Sequence, residues 1–96
     1  MSRREIENII MGQLMEFQPV RVGIFGSFAR LEEKADSDLD ILVSFKFPLS
    51  LIELIRLENN ISEKIGRKVD LITENSVHNS KLKVSINKDL HVIYNA

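Results

Sequence analysis

The chain of 96 residues contains no cysteine and no tryptophan. Without cysteine it can form neither a disulfide framework nor a thiolate zinc site. It also lacks an excess of positive charge, since 13 lysine and arginine residues are balanced by 14 aspartate and glutamate residues, and binding to a nucleic acid backbone usually needs such an excess. No apolar run approaches the roughly 20 residues that span a bilayer. We therefore expect a cytoplasmic protein that binds neither membranes nor nucleic acids.

The sequence does contain enough apolar material for one core. Hydrophobic residues make up 44% of the chain and charged residues 28%, which is close to the average for soluble globular domains. A chain of this length supports a single core and not two. We therefore expect residues 1–96 to form one domain.

Two capping boxes predict the starts of two helices. Ser2 with Glu5 precedes a helix over about residues 3–16, and Ser50 with Glu53 precedes a second, better specified helix. Gly66 is placed to end this second helix in the left-handed conformation. Apolar residues at helical spacing predict its buried stripe, which consists of Leu51, Leu54, Ile55, Ile61 and Ile65.

Short segments rich in β-branched residues predict four strands, at residues 20–25, 38–45, 69–73 and 90–94. A brief helix is predicted over residues 28–34 and a weaker one over residues 77–87. The resulting order is αβαβαβαβ. This order indicates an α/β (α+β) fold, in which helices pack on a mixed sheet of about four strands.

The first candidate site feature is the pair Gly26 and Ser27, which ends the first predicted strand. A glycine here lets the backbone approach an anion closely, and a serine at a helix start offers a hydroxyl beside free N–H groups, where phosphate binds favourably. The same two residues also fit an ordinary turn with a serine cap. Taken alone, the pair leaves both interpretations open.

The second feature is the pair Asp38 and Asp40 at the start of the second predicted strand. Strand geometry puts both carboxylates on one face, with their Cα atoms about 6–7 Å apart. Two such carboxylates repel each other unless a cation lies between them, and their hard oxygens suit Mg²⁺. The pattern also occurs on solvated surfaces. On the opposite face of the strand we expect Leu39, Ile41 and Val43.

The third feature is Asp70, in the middle of an otherwise apolar short strand. Burying this carboxylate without a partner would be costly. Either it points to solvent at a sheet edge, or it joins a charged site on the same face as Asp38 and Asp40. We favour the second interpretation.

The spacing of these features resembles the signature of the DNA-polymerase-β-type nucleotidyltransferase superfamily. Ten residues separate the Gly-Ser pair from an Asp-x-Asp pair, and a third carboxylate follows thirty residues after Asp40. The chain length and the forms Gly-Ser-x-Ala-Arg and Ser-Asp-x-Asp resemble, more narrowly, the minimal nucleotidyltransferases, the MNT family. The resemblance implies the nucleotidyltransferase fold over nearly the whole chain.

The resemblance also implies how the nucleotide is held. In the family the Gly-Ser pair holds the β- and γ-phosphates of the nucleoside triphosphate, and these residues are Gly26 and Ser27 here. Arg30 would reach a phosphate oxygen from the helix that follows. The implied donor is ATP.

For the acidic residues, the resemblance implies a two-metal site. Asp38 and Asp40 would bind two Mg²⁺ ions. Asp70 would complete the site of the catalytic ion and help to deprotonate the acceptor hydroxyl. All three are therefore both metal ligands and catalytic residues in this hypothesis.

The resemblance finally implies a protein partner. Minimal nucleotidyltransferases are typically the antitoxins of HEPN-domain toxins. They transfer AMP onto a hydroxyl group of the toxin, usually that of a tyrosine. We therefore expect a protein adenylyltransferase, with the partner or a second copy of this chain forming the other wall of the cleft. Two alternatives remain: an antitoxin that covers its toxin without catalysis, and a small-molecule nucleotidyltransferase, which the lack of an acceptor domain disfavours.

Overall fold

The computed structural model describes residues 1–26, 28–29 and 38–96. None of the helices in these ranges is long and apolar enough to cross a membrane. The elements, in chain order, are α1 (Arg3–Leu14), a 3-10 turn (Met15–Phe17), β1 (Pro19–Phe25), β2 (Leu39–Phe45), α2 (Leu51–Ile65), β3 (Val69–Thr73), a second 3-10 turn (Glu74–Ser76), α3 (Ser80–Asp89) and β4 (His91–Asn95).

The four strands form one mixed sheet in the order β3-β2-β1-β4. β1 is antiparallel to both of its neighbours, whereas β2 and β3 are parallel. Side chains of α1 and α2 share one large core with one face of the sheet, and Ile86 of α3 belongs to a smaller core that includes Phe25 and Leu42. The predicted mixed sheet with packed helices is confirmed.

Both predicted capping boxes are present. Ser2 Oγ accepts the Glu5 N–H at 3.1 Å, and Glu5 Oε1 accepts the Ser2 N–H at 3.3 Å. Ser50 and Glu53 make the same reciprocal pair at 3.2 and 3.1 Å. Hydrogen bonds from Ser2, above all from its backbone N–H, lower the pKa of Glu5. These bonds satisfy backbone donors that a helix start would otherwise leave without partners.

The predicted apolar stripe of α2 is partly wrong. The buried residues of this helix are Leu57 and Ile61, while Leu51 and Ile55 are 73% and 47% exposed. With 3.6 residues per turn, Ile55 lies about 160° around the helix from Leu57, so the two cannot face the same core. Gly66 ends the helix at φ 79°, as predicted.

Two other predicted helices differ from the structure or lie largely outside its described residues. The third helix begins at Ser80, and the prediction that it starts at residue 77 is wrong. Residues 74–76 form a 3-10 turn instead, and the Asn79 side chain caps the helix by accepting the N–H groups of Lys81 and Leu82. The brief helix predicted over residues 28–34 lies outside the described residues, apart from Phe28 and Ala29, which form a turn.

The edge strand β3 is covered by side chains of α2. Ser62 Oγ accepts the Val69 N–H at 2.9 Å, and Glu58 Oε2 accepts the Leu71 N–H at 2.8 Å. Glu58 and Ser62 are four residues apart and therefore lie on one side of the helix. Free N–H groups on an edge strand invite pairing with another chain, and here two of them are occupied. The same bonds hold β3, which carries Asp70, against α2.

Replacing Glu58 by Ala should therefore weaken this attachment. The variant loses the acceptor of the Leu71 N–H, and we expect the free energy of unfolding, measured by urea denaturation, to fall by about 1–2 kcal/mol. Glu58→Gln keeps an acceptor oxygen and should lose less. Glu63→Ala, at an exposed position of the same helix, is the control and should change stability by less than about 0.5 kcal/mol. Equal stability of the Glu58→Ala and Glu63→Ala variants would contradict this role of Glu58.

Candidate functional site

Asp40 and Asp70 are brought together by the parallel pairing of β2 with β3. The two residues are register partners, so their side chains leave the sheet on the same face. Leu42 and Ile72, each two residues further along its strand, belong to the smaller core or pack against it. Asp40 and Asp70 therefore lie on the face of the sheet that carries the smaller core, and both are half-buried.

The opposite face of β2 is fully apolar. Leu39, Ile41 and Val43 are buried in the larger core, as the alternation in the sequence predicts. This burial fixes the direction of Asp40, because a slip of one residue would bury the carboxylate and expose the apolar side chains.

Asp38 lies directly before β2 and has a different neighbour. Its Oδ2 is 3.7 Å from Lys68 Nζ, and the side chains are 44% and 70% exposed. An ion pair this exposed contributes little to stability. The described part of the chain includes all three aspartates. Within it, no group of three or more acidic, histidine or cysteine side chains is arranged to hold a metal ion. The structure thus brings Asp40 and Asp70 together and pairs Asp38 with Lys68.

Gly26 lies directly against Asp40. Its φ of 77° is in the left-handed region, and a Cβ at this position would overlap the Asp40 Oδ2 atom. Phe25, the preceding residue, is the register partner of Asp40 on β1. The missing side chain of Gly26 is therefore what makes room for the carboxylate. Ser27 and Arg30, the other two predicted phosphate ligands, lie outside the described residues.

Phe28 and Arg3 form a part of this region that the sequence analysis did not identify. Arg3 Nη1 donates a hydrogen bond to the Phe28 carbonyl oxygen at 2.6 Å, and its guanidinium carbon is 4.2 Å from the centre of the Phe28 ring. The two residues are 25 positions apart. No local pattern predicts this contact, because the sequence around Arg3 indicates only a charged residue at the start of a helix.

The donor set at this edge of the sheet fits a divalent cation. Carboxylate oxygens are the ligands that Mg²⁺ prefers, and two of the three predicted donors, Asp40 and Asp70, leave adjacent strands on one face. Gly26 has no side chain, so its backbone is open beside Asp40. Asp38, two residues before Asp40, is partly exposed to solvent and makes an exposed ion pair with Lys68.

Comparison with known proteins gives a family and close relatives. A family model described as "Polymerase beta, Nucleotidyltransferase" matches residues 5–96. A "Putative protein adenylyltransferase" of Methanocaldococcus jannaschii is 55% identical over 69 residues, which are 72% of this chain and 70% of the relative. Protein adenylyltransferase MntA of Thermococcus cleftensis is 34% identical over 96 residues, covering 96% of this chain and 97% of the relative.

Solved structures share the fold. A "putative minimal nucleotidyltransferase" superposes with a TM-score of 0.77 and 30% identity, over 92% of this chain and 89% of the other. A toxin–antitoxin complex with AMP-PNP gives a TM-score of 0.84 at 22% identity, over 94% and 73% of the two chains. The complex of a tri-AMPylated HEPN toxin with its MNT antitoxin from Shewanella oneidensis gives 0.80 at 20% identity, over 99% and 74%. The predicted nucleotidyltransferase fold is confirmed.

Proposed function

Because the chain belongs to the Polymerase beta nucleotidyltransferase family, we propose that it transfers AMP from ATP to a hydroxyl group of a HEPN-domain toxin, and so acts as the antitoxin of the pair. The observation that carries the proposal is the pairing of Asp40 with Asp70 on one face of the sheet, beside Gly26. Relatives named as protein adenylyltransferases support the proposed reaction. The chain also shares its fold with an MNT antitoxin bound to an AMPylated HEPN toxin, which supports the proposed partner.

The first role of the site is to hold the triphosphate. Gly26 offers backbone without a side chain, so a phosphate group can approach it closely. Ser27 and Arg30 are proposed to complete this seat with a hydroxyl and a guanidinium group. A triphosphate whose β- and γ-phosphates are held here lies beside Asp40, because the Gly26 backbone and the Asp40 carboxylate are neighbours.

The second role belongs to the carboxylates. We assign Asp38, Asp40 and Asp70 as the residues that would hold two Mg²⁺ ions. When bound, such ions neutralise the charge of the leaving pyrophosphate and favour the deprotonated acceptor hydroxyl. To bind a metal ion, Asp38 must give up its ion pair with Lys68. This costs little free energy because the ion pair is exposed.

The third role is proton transfer. During the reaction a bond forms between the acceptor oxygen and the α-phosphorus. The bond from the α-phosphorus to the oxygen that bridges it to the β-phosphorus breaks, and pyrophosphate leaves with that oxygen. The acceptor hydroxyl must lose its proton for this to occur. Asp70 is the proposed proton acceptor. In the sheet, β2 with Asp40 lies between β3, which carries Asp70, and β1, which leads into Gly26. Asp70 therefore flanks Asp40 on the side away from the proposed phosphate seat.

A labelling experiment with the HEPN partner tests this function. We expect α-labelled ATP to label the toxin in the presence of this protein and Mg²⁺, and the toxin to lose its toxicity. The Asp38→Asn/Asp40→Asn double variant should do neither, because it lacks two of the three carboxylates. Glu63→Gln, an exposed carboxylate on α2, is the matched control and should keep both effects. A double variant that still neutralises the toxin would show that covering the toxin is sufficient.

A further inference from the structure

Phe28 is fixed in place more firmly than a turn residue needs to be. Its side chain is only 2% exposed and belongs to the larger core. Two guanidinium groups lie within cation–π distance of its ring, that of Arg3 at 4.2 Å and that of Arg67 at 5.6 Å. The ring is therefore held both by the core and by two cations, one at the start of α1 and one between α2 and β3.

Arg3 also holds the backbone of the same residue. Its Nη1 donates to the Phe28 carbonyl oxygen at 2.6 Å, a short, charge-assisted hydrogen bond. Since Arg3 is the first residue of α1, whose start is closed by the Ser2 capping box, the contact ties the turn to a well-anchored helix end. A single side chain thus fixes both the ring and the carbonyl of Phe28.

The other end of the same turn is fixed by the sheet. Gly26 lies against the Asp40 carboxylate of β2. Gly26 and Phe28 are therefore held from two directions, and the one residue between them in the sequence is Ser27, a proposed phosphate ligand. Donor groups that bind an anion are most effective when their positions are fixed before the anion arrives.

We propose that Arg3 is a positioning residue for the phosphate-binding turn, and that it acts through Phe28. The inference rests on the proposed function, because it assumes that the turn at Gly26 binds the triphosphate. Arg3 does not touch the nucleotide in this account. It raises nucleotide affinity by keeping Phe28, two residues after Gly26, in a fixed position.

The neighbouring residue Arg4 provides a matched control. It has the same charge and lies on the same helix turn, but it is exposed, whereas Arg3 is half-buried. A loss of general positive charge near the N-terminus would affect both variants equally. Arg3 makes a hydrogen bond and a cation–π contact with Phe28, and the comparison with Arg4 isolates the effect of these contacts.

The experiment measures affinity and stability separately. Titration calorimetry at 25 °C gives Kd for the magnesium complexes of AMP-PNP and of inorganic triphosphate, and thermal unfolding gives Tm. We expect Arg3→Ala to raise both Kd values at least about tenfold, equivalent to about 1.4 kcal/mol. Both should rise alike, because the turn contacts only the phosphates. Arg4→Ala should leave both unchanged. Arg3→Lys, which keeps one donor and the charge, should give intermediate values.

Each outcome decides between the explanations. If Arg3→Ala lowers Tm but leaves both Kd values unchanged, Arg3 has a merely structural role and the inference is overturned. If Arg3→Ala does not fold, Arg3→Lys decides, and an affinity equal to that of the unaltered protein overturns the inference. If the unaltered protein binds neither ligand, the proposed function fails and this inference fails with it.

Discussion

Replacement of Asp70 by Asn is expected to reduce AMP transfer by a factor of about 10²–10⁴, the range found when a catalytic acid or base is lost. Asparagine has nearly the same shape but cannot accept the proton of the acceptor hydroxyl. Asp40 remains in place on the neighbouring strand, so part of the affinity for the magnesium nucleotide should remain. Single-turnover transfer of α-labelled AMP gives the rate, and calorimetry gives the nucleotide affinity.

The control for this variant is Glu63→Gln, which removes a carboxylate charge from an exposed position of α2. Its transfer rate should equal that of the unaltered protein. Normal transfer by the Asp70→Asn variant would show that the role assigned to Asp70 is wrong. Equal loss of transfer and of nucleotide binding would show instead that Asp70 serves mainly to bind the nucleotide complex.

Replacement of Gly26 by Ala should have the second large effect, with nucleotide affinity lowered by at least about 100-fold, or roughly 2.7 kcal/mol. The new Cβ would be strained at φ 77° and would overlap the Asp40 carboxylate. Either the turn or Asp40 must move, and each is part of the proposed site. Calorimetry with the magnesium complex of AMP-PNP measures the loss.

Gly66 offers a control that separates backbone strain from this overlap. It has nearly the same φ, 79°, but a Cβ there would meet no atom within 4 Å. Gly66→Ala should therefore cost about 1 kcal/mol of stability through strain alone and leave nucleotide affinity unchanged. If both alanine variants bind the nucleotide normally, the closeness of Gly26 and Asp40 has no functional meaning.

The elements with local signals could be predicted from the sequence. The capping boxes at Ser2 and Ser50 and the left-handed stop at Gly66 depend on residues within one turn of each other, and all three are present. The alternation of β2 likewise predicted which residues are buried. The spacing of the Gly-Ser and Asp-x-Asp pairs was sufficient to identify the family, which the family match confirms.

The features that depend on distant contacts could not be predicted. The buried face of α2 is set by its packing against α1 and β3, so Leu51 and Ile55 are exposed although they are apolar. The contact of Arg3 with Phe28 joins residues 25 positions apart. The sequence also could not show that Asp38 pairs with Lys68, because surface ion pairs follow from tertiary placement. The assigned metal and phosphate ligands stay predictions.

The most direct test of the central claim is a crystal structure of this protein with AMP-PNP and Mn²⁺, in which anomalous scattering locates the metal ions. The account predicts metal within coordination distance of the carboxylates of Asp40 and Asp70, with Asp38 released from Lys68 and the phosphates against Gly26. Metal ions bound away from both Asp40 and Asp70, with the phosphates distant from Gly26, would contradict it.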